Sequence, residues 1–215
     1  MGHRVHPKAF RIKETSDWNS RWLSKKRFAK DLEEDFKIRE FLKEKLGRLG
    51  VEKIEIERFP GKIMVIISSA RPGLIIGRGG GGVEILKKEL ENLLGLDGKE
   101  KTEIKLEIKE IKDLWASAAL AAQWMAQQIE RRVRHRRVLK QALDKIMTAK
   151  GVEGCRVEVA GRLNGVQIAR TEWLKKGKLP RQSLRANIDY ACDRAYCSYG
   201  TIGIKVWIYK GEKFE

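Results

Sequence analysis

The sequence predicts an α+β protein of two domains behind a basic N-terminal arm. Three observations predict it. In the first half, one helical run, two β-rich runs and an amphipathic helix surround five glycines in the six positions from Gly77 to Gly82. In the second half, a helical stretch from Asp113 to Ala149 precedes four β-rich runs. The third is charge: 46 Lys and Arg against 29 Asp and Glu leave a net +17 over 215 residues. The excess is segregated, with net +6 in residues 1–50, zero in 51–110, +6 in 111–150 and +5 in 151–215. Such an excess repels itself unless a counter-charge covers it, so a neutral block between basic flanks predicts a polyanion held at several points.

Residues 1–28 are basic, contain Trp18 and Trp22, and show no clean period, so they read as an extended arm. The first domain spans 29–110. Asp31 and Glu34 have the spacing of a capping box. Leu32, Phe36, Leu42, Leu46 and Leu49 recur at roughly helical intervals until Gly47 and Gly50 end the run. VEKIEIERF and KIMVIISS flank Pro60-Gly61, which reads as a hairpin. The short run Leu74 to Ile76 leads into the glycines, and Val83, Leu86, Leu90, Leu93 and Leu94 mark an amphipathic helix. Leu96 to Lys101 reads as a loop. Ile104, Leu106 and Ile108 then alternate with charged residues, a strand with one wet face.

The second domain spans 111–215. Its helical stretch breaks near Arg134–His135 and ends at Gly151. RVEVAGRLNGVQIARTEW places Asn164-Gly165 between two β-type runs, the strongest short hairpin signal available. Leu184, Ala186, Ile188 and Tyr190 alternate with polar partners, and IGIKVWIY alternates again. Two helices and a four-stranded, largely antiparallel sheet are expected.

The glycine stretch fits three motifs, and two fail. Gly77, Gly79 and Gly82 match G-x-G-x-x-G, but a dinucleotide site needs a full buried strand before the first glycine. Only Leu74 to Ile76 separate it from Pro72-Gly73. A nucleoside triphosphate loop needs Gly-Lys-Ser/Thr, and Gly82-Val83-Glu84 supplies neither the amine nor the hydroxyl. The third reading is a GxxG clamp, Gly77-Arg78-Gly79-Gly80, with Ile76 before it and Val83 and Leu86 behind. Glycine lets a phosphate approach the main chain, the following helix offers free N–H groups, and Arg78 adds a full charge. This is the pattern of a KH domain, whose clamp holds the backbone of about four nucleotides, and the order helix-strand-strand-helix-helix-strand resembles the type II KH arrangement.

QIERRVRHRRVLKQALDKIM is the second informative stretch. At about 100° per residue, Arg136, Arg137 and Lys140 fall on one side of a helix, and Val138, Leu139, Ala142, Leu143 and Ile146 on the other. Arg131, Arg132 and Arg134 extend the charge across the break, with few acids nearby to pair them. A membrane-surface helix would carry larger apolar residues and aromatics on its buried face. The alanine-rich run Trp115 to Met125, interrupted by Ser117 and Gln123, is too short and polar to cross a bilayer.

Other chemistry is not supported. His3, His6 and His135 with Cys155, Cys192 and Cys197 show no zinc-ligand spacing, and small buried cysteines are expected. Asp189 and Asp193 lack a histidine or metal motif beside them, which points to a solvent or RNA-edge role rather than a catalytic pair. No nucleophile-base set is present, so no enzyme, cofactor or metal is expected. The N-terminus lacks the apolar segment of a secretory signal, and three sparse cysteines suit a reducing, cytoplasmic setting.

Several blocks together are specific. GHRVHP, WNSRW, RPGLIIGRGG, ERRVRHRR, EVAGRLNGVQIARTEW, LRANIDYA and YGTIGIKVWIYKGE run in order along the chain, which resembles the bacterial small-subunit ribosomal protein three family. The resemblance implies a type II KH domain at roughly 38–108 and an α+β C-terminal domain. It implies a place in the head of the small subunit, with ribosomal RNA, neighbouring head proteins and messenger RNA at its entrance path as partners. The family's Arg-Arg-x-x-Lys pattern falls on Arg136, Arg137 and Lys140, and a neighbouring pair on Arg131 and Arg132. Arg162, Arg170, Lys175, Lys176 and Lys178 complete the candidate RNA-contact set with Ile76 and the clamp. The family usually has a lysine-rich clamp followed by Glu-Asp, where this chain has Arg78-Gly79 and Gly81-Gly82. The alternative is a free KH-type regulator that binds single-stranded RNA.

Overall fold

A computed structural model describes residues 5–12, 14–24, 27–47, 49–95 and 103–214. The loop expected at Leu96–Lys101, and His3 with the start of the GHRVHP block, lie outside the described residues. In chain order the elements are α1 (Pro7–Phe10), β1 (Ser20–Arg21), α2 (Phe28–Leu46), β2 (Val51–Phe59), β3 (Lys62–Ser69), α3 (Pro72–Ile76), α4 (Gly81–Leu94) and β4 (Glu103–Glu110). There follow α5 (Ala118–Glu130), α6 (His135–Thr148), β5 (Gly154–Gly161), β6 (Arg170–Gly177), β7 (Ala186–Cys197) and β8 (Gly200–Glu212). They form two compact units, residues 18–112, and residues 5–17 with 113–214.

In the first unit the sheet order is β1-β2-β3-β4. Strands β2 and β3 form the expected hairpin, with Phe59 opposite Lys62, and β4 joins β3 in parallel. Ile54 and Ile56 alternate with charge, so they share the sheet face that the helices cover. Ile38, Leu42 and Leu46 of α2, Ile75 of α3, and Leu86 and Leu90 of α4 bury against them and against Ile63, Val65, Ile67 and Ile104. Each such side chain contributes about 1.5–3 kcal/mol relative to exposure.

The start of α2 differs from expectation. The helix begins at Phe28 with Arg27 as its cap, so Asp31 and Glu34 lie inside it and form no capping box. They serve Arg58 instead, which donates to Glu34 Oε2 at 2.7 Å, Asp35 Oδ1 at 2.8 Å and the Asp31 carbonyl at 3.1 Å. Leu32 and Phe36 are exposed rather than buried. The stripe that meets the sheet is Asp35, Ile38, Leu42 and Leu46, and Leu32 and Phe36 sit about 60–100° round the helix from it.

Residues 1–28 were expected as one extended arm, yet the described part is anchored in two places. Buried Asp35 accepts from Ser20 Oγ at 2.7 Å and Trp22 Nε1 at 2.8 Å, which ties residues 18–22 to the first unit and seats β1 in parallel on β2. Residues 5–17 belong to the second unit. There α1 is helical, with His6 Nδ1 accepting from the Ala9 N–H. Arg11 is buried, and its guanidinium donates to the carbonyls of Pro7, Arg181 and Ser183 at 2.9–3.0 Å.

In the second unit the four strands run β6-β5-β8-β7, antiparallel throughout. Helices α5 and α6 cover one face. Ala121, Ala122, Met125, Val138, Leu139, Ala142 and Ile146 pack on Val157, Val159, Ile202, Ile204 and Val206. The alanines of α5 permit close approach. Asn164-Gly165 is not a two-residue hairpin turn. Strands β5 and β6 are antiparallel neighbours, but the pairing stops at Gly161 and Arg170. Asn164 and Gly165 take positive φ within the longer connection, where the Asn164 side chain meets His135.

Two further expectations are corrected. Cys155 is buried, and burial pushes its thiol up to about 11, but Cys192 is exposed and Cys197 half-buried. Cys192 points from an edge strand to the face of the sheet opposite α5 and α6. Asp189 is neither a solvent nor an RNA-edge residue. It faces the helices, accepts from the Ala118 N–H at 2.8 Å at the start of α5, and pairs with Lys8 at 2.8 Å.

Candidate nucleic-acid interface

The glycine clamp lies between α3 and α4 of the first unit. Gly77 ends α3 at φ 71°, ψ −179°, and its N–H donates to the Gly73 carbonyl. Gly79 and Gly80 follow at φ 63° and 83°, a left-handed region in which a side chain would be strained. These three therefore have a backbone reason to be glycine. Gly82 has a packing reason: a Cβ there would stand 2.5 Å from the Ile75 carbonyl oxygen. The structure thus brings Ile76, Gly77, Arg78, Gly79 and Gly80 together at the N-terminus of a 14-residue helix that has no side-chain cap. The Gly81 N–H donates to the Arg78 carbonyl, and no side chain caps the helix, so its end carries the positive dipole that suits an anion. Arg78 is exposed, and Leu74, Ile76 and Ile85 leave apolar surface on the two flanking helices.

The basic helix of the second unit has the expected sidedness. Val138, Leu139, Ala142, Leu143 and Ile146 are buried, and Arg136, Arg137 and Lys140 are exposed. The break before it is made at Arg132, which takes φ 62°, so Arg131 to Arg134 turn a corner between α5 and α6. A cleft of about 850 Å³ opens beside this corner, edged by Arg132, Arg134, Arg136, Arg170, Asn164 and Ser198. A second, of about 760 Å³, runs along Arg132, Arg136, Arg137, Lys140 and Asp144. Among the described residues, no carboxylate lies within ion-pair distance of Arg131, Arg132, Arg134, Arg137 or Lys140.

Arg136 is the exception. Its Nε donates to Glu172 Oε2 at 3.2 Å, and the buried His135 Nε2 donates to the same oxygen at 3.0 Å. His135 Nδ1 meets Asn164 Oδ1 at 2.9 Å. The Arg136 guanidinium, with His135, holds the Glu172 carboxyl below the usual carboxylate range against the opposing effect of burial. This cluster fixes the first turn of α6 to β6 and to the 162–169 connection. Sequence reasoning missed it, since Asn164-Gly165 carried a turn signal and His135 carried none.

The remaining candidates separate by face. Arg170 and Lys176 lie on the α6 side of β6, with Lys176 at 3.6 Å from Asp144 and Arg170 at 3.7 Å from Glu172. Lys175 stands on the opposite face, and Lys178 lies just beyond the strand. Arg162 is partly committed within the protein, donating to the carbonyls of Val166 and Tyr199.

Comparison with known proteins agrees with this architecture. The KH domain family matches residues 37–116, and the family described as Ribosomal protein S3, C-terminal domain, matches residues 125–208. Small ribosomal subunit protein uS3 of Caldicellulosiruptor saccharolyticus is 50% identical over 99% of this chain and 93% of its own length. The chain belongs to the uS3 family. The protein of that name from Lawsonia intracellularis is 46% identical over 100% of this chain and 98% of its own. That of Maridesulfovibrio salexigens is 49% identical over 99% and 96%. The uS3 family is a ribosomal protein family and not an enzyme family, and its KH domain accounts for the glycine clamp.

Proposed function

We propose that the protein is a structural component of the small ribosomal subunit head, in the cytoplasm. There it binds ribosomal RNA, touches neighbouring head proteins, lines the path by which messenger RNA enters and assists unwinding of the incoming message. The observation that carries this reading is the exposed row Arg136, Arg137 and Lys140, with Arg131, Arg132, Arg134 and Arg170 around it. A soluble surface has no need of so many cations with so few acids, whereas an RNA backbone matches them. Family membership supports the place in the subunit, since the relatives carry that name. The clamp supports a second RNA contact, through Arg78 and the amides of α4.

The test replaces Arg136, Arg137 and Lys140 by alanine in assembled subunits. Progress through a strong messenger hairpin should slow while unstructured messages are read at the normal rate; unchanged progress through the hairpin would remove the unwinding role. For the isolated chain, removing one phosphate-binding cation should flatten the salt dependence of RNA binding by roughly 0.7–0.9. A free single-strand-binding regulator would instead leave much of the protein away from small subunits when cell extract is sedimented.

A further inference from the structure

We infer that the face of the second unit's sheet opposite α5 and α6 carries a further RNA site at its open β6 edge, in which the Trp173 ring stacks an unpaired base of ribosomal RNA. This rests on the RNA-binding reading above. It concerns the opposite face of the sheet from α6.

Strand register sets residues of four strands side by side on this face: Trp173 beside Glu158, Lys175 beside Arg156, Arg156 beside Trp207, and Trp207 beside Tyr190. They form a ladder. The His6 and Tyr190 rings are 4.9 Å apart and the Tyr190 and Trp207 rings 5.2 Å. The Arg156 guanidinium carbon lies 5.5 Å from the Trp207 ring and 4.2 Å from the Trp173 ring. The ladder ends at β6, an edge strand, where Trp173 is 51% exposed. Tyr190 is half-buried and Trp207 buried, while at the other end of the ladder the exposed His6 ring meets Tyr190 edge-on.

Arg156 explains why Trp173 is held there. It is only 7% exposed, its Nη2 donates to Glu158 at 2.7 Å, and its buried Nε has no hydrogen-bond partner. A guanidinium so desolvated gains from the electron-rich faces on either side of it. The contact fixes the plane of the indole and leaves its outer face open, a platform already ordered before a ligand arrives.

The surroundings select the ligand. Next to the ring on the same face are Glu158, bonded to Arg156, and Lys175, about 7 Å along the strand. Lys175 is exposed, and among the described residues no carboxylate is within ion-pair distance of it. Lys205, also exposed, stands beyond Glu158. A protein interface would centre the tryptophan in an apolar patch depleted of lysine and glutamate. One aromatic plane flanked by unpaired ammonium groups is instead the composition of a single-strand platform, where the ring meets the base and lysines meet the phosphates.

The test uses the full chain with a short labelled oligoadenylate as probe. Trp173→Leu keeps apolar bulk and removes the π-face. It should weaken binding by roughly 5- to 150-fold without changing the salt slope, because no charge is removed. Trp173→Phe should retain most of the affinity, and Lys175→Gln should flatten the slope by about 0.7. Unchanged affinity in Trp173→Leu overturns the site, as does an equal weakening in Trp173→Phe. In reconstituted small subunits, Trp173→Leu should open one ribosomal RNA base to dimethyl sulfate. Loss of a neighbouring protein with no newly reactive base would make this a protein contact and the proposal wrong. Hairpin progress in the Arg136, Arg137 and Lys140 variant bears only on the opposite face, so the two readings fail separately. If the unsubstituted chain bound no oligoadenylate, this site would fall, and the RNA reading would be judged by the hairpin test alone.

Discussion

At the scale of single residues, charge has two different uses here, and Asp189 shows the internal one. Burial alone would raise its carboxyl, but Lys8 and the Ala118 N–H overcome burial and hold it below the usual aspartate range. A depressed folded value means that the fold prefers the ionised form. Its contribution is therefore complete above the unfolded value of about 3.9 and is lost as pH falls through the lower folded value. We expect Asp189→Asn to cost about 1–3 kcal/mol at neutral pH. Urea titrations between pH 6 and 2 should also show a shallower acid loss for the variant than for the parent. An identical acid slope in both would mean that Asp189 contributes nothing through its charge. Nothing in the polarity pattern of LRANIDYAC could have told an inward aspartate from an outward one; only pairing with β8 decides the side.

At the scale of elements, the start of α4 separates glycines that are needed from one that is not. Gly81 has helical dihedrals of −59° and −29°, and a Cβ there would meet nothing within 4 Å. Gly81→Ala should stabilise the first unit by about 0.4–1 kcal/mol, because it restricts the unfolded chain at no cost in the fold. Gly82→Ala should destabilise by about 1–3 kcal/mol, since the carbonyls of Ile75 and Ile76 must move away. Urea midpoints compare the two, and equal effects would contradict this packing of α3 on α4. The same element makes the point about legibility. The clamp, the helix behind it and the two-sided character of α6 were readable because they are properties of consecutive residues. The His135–Asn164–Glu172 cluster was not, for His135 lies 29 positions before Asn164 and 37 before Glu172.

At the scale of the whole molecule, the division of the N-terminal residues between the two units is the main departure from the expected plan. Asp35 anchors Ser20 and Trp22, so a fragment of residues 18–112 should fold cooperatively on its own core. Cutting at residue 28 removes two hydrogen bonds to a buried carboxylate, each worth about 1.5–3 kcal/mol. The shorter fragment should therefore melt well below the longer one by circular dichroism. Coincident melting curves would show that residues 18–27 contribute nothing to the first unit. The net charge needs the same care, since Arg11 and Arg58 are spent on partners within the protein and do not belong to any RNA-facing surface.

By itself the sequence determined the order of helices and strands, the clamp, the cationic face of α6 and the family, because periodicity and motif spacing are carried by neighbouring residues. Tertiary structure alone decided which charges are spent internally, where the N-terminal segment attaches, and on which side of β6 each lysine stands. The physical reason is that a side chain's role depends on what is packed opposite it. For Arg11 that is the Arg181 carbonyl, 170 positions along the chain, and no local pattern connects the two.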